Sequence, residues 1–180
     1  MPSEAGGHVL VICEKPDAAR RVSDALSGGR ARSSVSGGIV TFDFTFDGKK
    51  HIVCSAQGHI YSISDPLKER TVYPVFDLEW YPSDIVEERS AGASRRIASI
   101  RKLAEGASSF INACDFDAEG ETIGFNVLRY ACSGKEGRAL RAKFSTLTKE
   151  ELVQAFRSAT LQIGLGLARA GRTRHMADFI

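Results

Sequence analysis

The chain is 180 residues long, 43% of it hydrophobic, with a formal net charge of +2. That length and apolar content suffice for the core of one domain and a little more. The near balance of charge excludes the overall basic field of a free-standing nucleic-acid binder, and no apolar run approaches the roughly 20 residues needed to cross a bilayer.

The residues before His8 are mostly small and polar, without the apolar stretch of a signal peptide, so a soluble, cytoplasmic protein is expected. His8–Cys13 then reads as a strand ending in Glu14-Lys15-Pro16. Pro16 suits the first turn of a helix. Ala18, Ala19, Val22, Ala25 and Leu26 recur at helical spacing, and Gly28-Gly29 closes the run. Glu14 therefore sits at a strand end facing a helix start. Val40, Phe42, Phe44 and Phe46 alternate with polar residues, Asp47-Gly48 supplies a turn, and residues 51–56 return as a second strand.

Residues 65–92, with three prolines and many charges, read as an irregular excursion whose Trp80 and phenylalanines fill core. Ala93, Ile97, Ile100, Leu103 and Ala104 mark a helix leading into an apolar strand, Phe110–Cys114. An acidic turn follows, then a helix over 119–132, a loop over 133–137 and a strand over 139–144. Thr148-Lys149-Glu150-Glu151 reads as a capping box opening a last helical stretch, with Leu152 and Phe156 on one face. The order predicts an α/β fold, a mixed and mostly parallel sheet with helices on both faces. The cysteines Cys13, Cys54, Cys114 and Cys132 have no C-x-x-C spacing, so no structural zinc site is expected from them.

The acidic turn is the most informative segment. Asp115, Asp117, Glu119 and Glu121 put four carboxylates into seven residues at a strand's C-terminal end, where α/β folds place their sites. Such charges repel unless a cation sits among them, and a hard divalent ion such as Mg²⁺ is the natural candidate. The other reading is a solvated helix start, since carboxylates favour a helix N-terminus on dipole grounds. Arg20-Arg21, Arg30, Arg32, Arg95-Arg96, Arg101-Lys102 and the run from Arg169 to Arg174 surround it. A negative pocket in a basic surround suits phosphodiester chemistry, although scattered surface arginines would read the same way.

The pairing of Glu14-Lys15-Pro16 with Asp115-x-Asp117-x-Glu119-Gly120-Glu121 resembles the Toprim domain shared by topoisomerases, bacterial primases and some nucleases. Gly58-His59-Ile60, Tyr73 to Trp80, Ile123-Gly124-Phe125-Asn126 and Phe144-Ser145-x-Leu147-Thr148-Lys149-Glu150 are similar to motifs of type IA DNA topoisomerases. The start looks more like topoisomerase III and archaeal forms than like bacterial topoisomerase I. The resemblance implies a Toprim domain over 8–147 and, over 148–180, the beginning of the next helical domain of a longer enzyme. It implies that Glu14 is a general acid/base near the scissile phosphate, that Lys15 stabilises that phosphate, and that Asp115, Asp117 and Glu119 hold Mg²⁺. By the same resemblance, Lys15, His59 and Arg169 contact a single-stranded DNA segment, His175 lines its path, and the remaining domains of the enzyme are partners.

Each residue also has a plainer reading. Lys15 could be a solvent-facing lysine at a helix start, His59 a structural histidine in a tight turn, and Glu121 a supporting carboxylate. Ala118 stands where many bacterial relatives carry arginine. Tyr61, Tyr73, Tyr81 and Tyr130 match no nucleophile motif, so the nucleophilic tyrosine is expected beyond this chain, which alone should not cleave DNA. An independent Toprim nuclease or primase-like enzyme, and a non-catalytic interaction module, are the alternatives.

Overall fold

The run His8–Cys13 is apolar throughout because it has two faces to bury. In the computed structural model, which describes residues 7–65, 77–87, 91–161 and 164–179, it forms β1 (His8–Cys13). Val9, Val11 and Cys13 turn to one side, Leu10 and Ile12 to the other. That is what a strand covered on both faces requires. Leu10 and Ile12 are fully buried, each contributing about 1.5–3 kcal/mol relative to exposure.

Helix α1 (Pro16–Ser27) begins at Pro16 and ends on Gly28, whose φ of 64° supplies the left-handed cap the sequence predicts. β2 (Arg32–Ser36), β3 (Ile39–Phe46) and β4 (Lys49–Ser55) follow as an antiparallel meander. Asp47 and Gly48, both with positive φ, make the β3–β4 turn. β2 is absent from the sequence reading because all five of its residues are exposed and carry no apolar period; backbone pairing with β3 holds it at the sheet edge.

Within the excursion read at 65–92, residues 79–86 are regular. β5 (Tyr61–Ser64) pairs antiparallel with β6 (Glu79–Pro82) in a small second sheet, followed by the single turn α2 (Ser83–Val86). This pairing sets Tyr61, Ile63 and Trp80 into the core beside the next two helices, which two short segments far apart in sequence cannot announce by themselves. Trp80 is core, as expected, while Tyr73 to Phe76 of the same motif lie outside the described residues.

Helix α3 (Ala93–Glu105) then leads into β7 (Ala107–Asn112), helix α4 (Ala118–Asn126) continues into a π-helical turn (Val127–Ala131), and β8 follows as only Leu140–Arg141. The strand expected over 139–144 is cut short at the sheet edge, where Arg141 also bridges to Thr160. The six-stranded sheet runs β2-β3-β4-β1-β7-β8, with parallel pairing from β4 through β8. It is the mixed, mostly parallel sheet the sequence predicts.

Helix α1 and α5 (Lys149–Arg157) cover one face; α3 and α4 cover the other. Leu152 and Phe156 are buried on one side of α5, as expected. The expected capping box does not form. Thr148 makes no side-chain cap, and Glu151 instead accepts from the backbone N–H of Ser145 and Thr146 at 2.5 and 3.1 Å. Helix α6 (Leu165–Phe179) lies on α4, where Gly171 permits the approach: a Cβ there would overlap Thr122 and come within 2.6 Å of the Ala118 carbonyl. Arg172 caps this contact, its guanidinium 4.9 Å from the Trp80 ring centre and 5.0 Å from that of Phe125. Among the described residues no helix is long and apolar enough to cross a membrane.

Candidate functional site

β1, β4 and β7 are parallel neighbours, so the chains leaving them emerge at one edge. The backbone bonds continue past the strands: Ala56 N–H donates to Cys13 O at 2.9 Å, Gly58 N–H to Glu14 O at 3.2 Å, and Ala113 N–H to Ile12 O at 2.8 Å. Glu14, the 57–59 turn and Asp115 are thereby set side by side. Gln57 and Gly58 have φ of 60° and 87°, a left-handed reversal that turns His59 back over the edge.

Lys15 is the cation the acidic residues need. Its Nζ donates to Asp115 Oδ2 at 2.8 Å and lies 3.2 Å from Glu14 Oε1. The hydrogen bond to Asp115, then that to Glu14, hold the ammonium above its ordinary pKa. Glu14 is the most sheltered of the three, its side chain 13% exposed against 38% for Asp115 and 60% for Lys15.

The acidic turn folds back tightly on itself. Asp117 caps α4, accepting from Gly120 N–H at 2.7 Å, and Gly120 lies against the Asp115 backbone where any Cβ would collide. Such a carboxylate satisfies an otherwise orphaned helix N–H and favours the dipole. The helix-start reading of the segment thus holds for Asp117, an exposed carboxylate that caps α4.

Glu119, in the first turn of α4, faces a different set of partners. Its Oε2 lies 2.8 Å from His59 Nε2 and 3.2 Å from His175 Nε2, and its Oε1 lies 3.9 Å from Arg174. Burial opposes its ionisation, but the hydrogen bonds from His175 and His59 outweigh that and leave its pKa below the ordinary carboxylate value. Glu121 points inward, fully buried, and meets Arg141 at 2.5 Å.

The structure therefore gathers the expected residues into two clusters at one sheet edge. Glu14, Lys15 and Asp115 form the first; Glu119, His59 and His175 form the second, with Asp117 capping the helix between. Arg169 is exposed on α6 and makes no ion pair with these carboxylates among the described residues; Arg174 and His175 of that helix reach them instead. Arg141 is the residue that sequence reasoning missed. The signal was available: an arginine inside the apolar run Ala139–Ala142 needs a buried anion. Phe116, 47% exposed with Lys143 Nζ 4.7 Å from its ring centre, adds an aromatic surface beside the site. Cys13, directly behind Glu14, is inert by contrast, its thiol pKa pushed up to about 12 by burial.

Asp115, Asp117 and Glu119 carry the oxygen donors a hard cation takes, but their ligand atoms do not all lie within 4.8 Å of one another, so Mg²⁺, which commonly takes one or two carboxylates and keeps several waters, would not find all three closed around it here. Asp115 now spends its charge on Lys15, so a cation arriving beside it competes with an ammonium already seated.

Residues 9–147 match the Toprim domain family. The chain is 41% identical over 171 residues to DNA topoisomerase 1 of Pyrococcus horikoshii, covering 95% of this chain and 25% of that protein. It is 40% identical over 171 residues to DNA topoisomerase 1 of Methanocaldococcus jannaschii, covering 94% of this chain and 22% of the relative. It is 27% identical over 155 residues to DNA topoisomerase 3-beta of Arabidopsis thaliana, covering 82% of this chain and 18% of that protein. The chain thus spans a quarter or less of the length of these relatives. With Glu14 and the acidic turn meeting at the edge of a mixed sheet, and the family match running through both, the chain belongs to the Toprim domain family.

Proposed function

We propose that this chain is the Mg²⁺-binding, phosphate-handling part of a type IA DNA topoisomerase that cleaves, passes and religates single DNA strands and so relaxes negative supercoils. The observation that carries the reading is the meeting of Glu14 and Lys15 with Asp115, 100 residues beyond Lys15 in sequence, at one sheet edge.

Exchange of a DNA phosphodiester for a phosphotyrosine builds negative charge on the phosphoryl oxygens and on the leaving 3′ oxygen. A positioned acid and fixed positive charge lower that barrier. Glu14, sheltered at the strand end, gives a proton to the 3′ oxygen as it leaves and recovers it on religation. Lys15 Nζ exchanges its bond to Asp115 for one to a phosphoryl oxygen. Asp115, Asp117 and Glu119 hold Mg²⁺, which when bound offsets charge on the phosphate. His59 and Arg169 contact the DNA backbone. The nucleophilic tyrosine belongs to a part of the enzyme outside this chain, residues 148–180 begin the helical domain leading to it, and the enzyme works on the cytoplasmic nucleoid.

Relaxation of negatively supercoiled plasmid by the longest protein that carries this chain tests the reading. Activity requiring Mg²⁺ and Glu14 supports it. DNA cleavage by the 180-residue chain alone would point instead to a self-sufficient Toprim nuclease.

A further inference from the structure

His59, Glu119 and His175 come from three separate segments: the turn after β4, the first turn of α4, and the C-terminal half of α6. One ligand atom from each lies within 4.8 Å of the other two, and no other trio of His, Cys, Asp or Glu among the described residues meets that spacing. Glu119 Oε2 is 2.8 Å from His59 Nε2 and 3.2 Å from His175 Nε2. A tetrahedral ion with nitrogen and oxygen ligands at about 2.0–2.2 Å sets its donors roughly 3.3 Å apart. The carboxylate oxygen already stands close to that distance from both imidazoles.

The rings are also held in place. His175 lies edge-on to Trp80, with centroids 5.7 Å apart, and to His59 at 5.0 Å. All three ligand residues are half-buried, so an ion can reach them without the core opening.

Two imidazoles and one carboxylate are not a magnesium site. Mg²⁺ takes oxygen ligands, whereas imidazole suits zinc, cobalt and related ions. We propose that His59, Glu119 and His175 form a second divalent-cation site, selective for an imidazole-seeking transition metal such as Zn²⁺, with a further coordination position open to water or a phosphate oxygen. An ion here staples α6 to the end of β4 and to α4, and it withdraws Glu119 from the oxygen-only cluster around Asp115 and Asp117. Arg174, 3.9 Å from the other oxygen of Glu119, pairs with the carboxylate from the far side. The site shares Glu119 with the Mg²⁺ reading but does not rest on it.

The test uses Co²⁺ as a spectroscopic probe on the purified 180-residue chain. One equivalent should bind with the visible absorption of a four- or five-coordinate ion, be displaced by Zn²⁺, and survive excess Mg²⁺. His59→Ala and His175→Ala should each weaken binding at least about tenfold, the scale on which even supporting residues of metal sites act. Asp115→Asn/Asp117→Asn should leave it unchanged. His175→Gln keeps bulk beside Trp80 and covers the case in which the alanine variant loosens α6; a thermal melt of each variant confirms that it is folded. Absence of the Co²⁺ spectrum in the wild type, or equal affinity in folded histidine variants, overturns the site. Binding lost only in the Asp115/Asp117 variant would put the ion in the acidic cluster, overturning this proposal while leaving the Mg²⁺ reading standing.

Discussion

Arg141 donates from Nε to Oε1 of Glu121 at 2.5 Å, with neither side chain exposed to solvent. The remaining guanidinium hydrogens go to the carbonyls of Asn112, Cys114, Asp115 and Ala142, all around the end of β7. The pair is thus the peg around which the chain bends from strand into acidic turn. Removing one partner strands the other charge in the interior, which costs about 3–5 kcal/mol. Glu121→Ala should lose that much stability in urea denaturation, and Glu121→Gln, which keeps an acceptor, should lose less. An unchanged unfolding midpoint in Glu121→Ala would show that the pair is not structural.

Asp117 allows metal binding to be separated from helix capping. Asparagine caps a helix as well as aspartate does, whereas alanine costs about 1 kcal/mol. Asp115→Asn/Asp117→Asn should therefore abolish Mg²⁺ binding in calorimetry with little loss from the α4 cap, while Asp117→Ala should also lower stability. Equal Mg²⁺ binding by the double variant and the wild type would remove these residues from the ligand set.

Glu14→Gln should leave the fold intact, because the side chain lies at the sheet edge rather than in either core. In the longer enzyme it should reduce plasmid relaxation by roughly 10²–10⁴-fold, the range for a lost general acid/base. Near wild-type relaxation would exclude the role.

Lys15 is engaged by Asp115 and Glu14, so its contact with a phosphate competes with that pairing. The chain should bind single-stranded DNA weakly, and its affinity should fall with salt by about 0.7 log units per log salt for each phosphate contact. Lys15→Ala should remove about one such contact from the slope, while changing Lys49, exposed at the opposite end of β4 from the site, should not. Identical slopes in a fluorescence titration would mean that Lys15 does not meet the backbone.

Stability should fall in mild acid. Burial lowers the pKa of His51, against a hydrogen bond to the Lys49 carbonyl, and burial lowers that of His8 as well. In the unfolded chain these rings protonate near about 6.5. The unfolded state therefore binds more protons just below that pH, and stability declines as pH drops through it. Glu119 acts in the same direction lower down: its contribution is present above the ordinary carboxylate pKa of about 4.3 and is lost as pH falls through its lowered folded value. Melting temperature should drop between about pH 7 and pH 5, and His51→Phe, stacked in the slot between Phe44 and Phe46, should shallow that drop. A flat profile in the wild type would contradict the assignment.

Local chemistry made much of the protein readable in one dimension. An unbroken apolar run means a strand buried on both faces, Pro16 and Gly28 bracket a helix, and Asp47-Gly48 makes a hairpin turn, each from interactions within a few residues. The crowding at Asp115–Glu121 likewise announces a site, because like charges at that spacing need a cation wherever the chain goes. What three dimensions decided is which partner answers which carboxylate. Lys15 for Asp115, Arg141 for Glu121, and His59 with His175 for Glu119 are pairings across 20 to 100 residues, set by the parallel order of β4, β1, β7 and β8 and by the seating of α6 through Gly171. β2 escaped notice because its five exposed residues carry no apolar period, although it pairs with its immediate neighbour β3 across Gly37-Gly38, and the β5–β6 pair because it joins short segments distant in sequence; backbone bonding leaves no mark on side-chain pattern. The residue types state which charges must be neutralised, but only the register of the sheet brings the neutralising groups within reach.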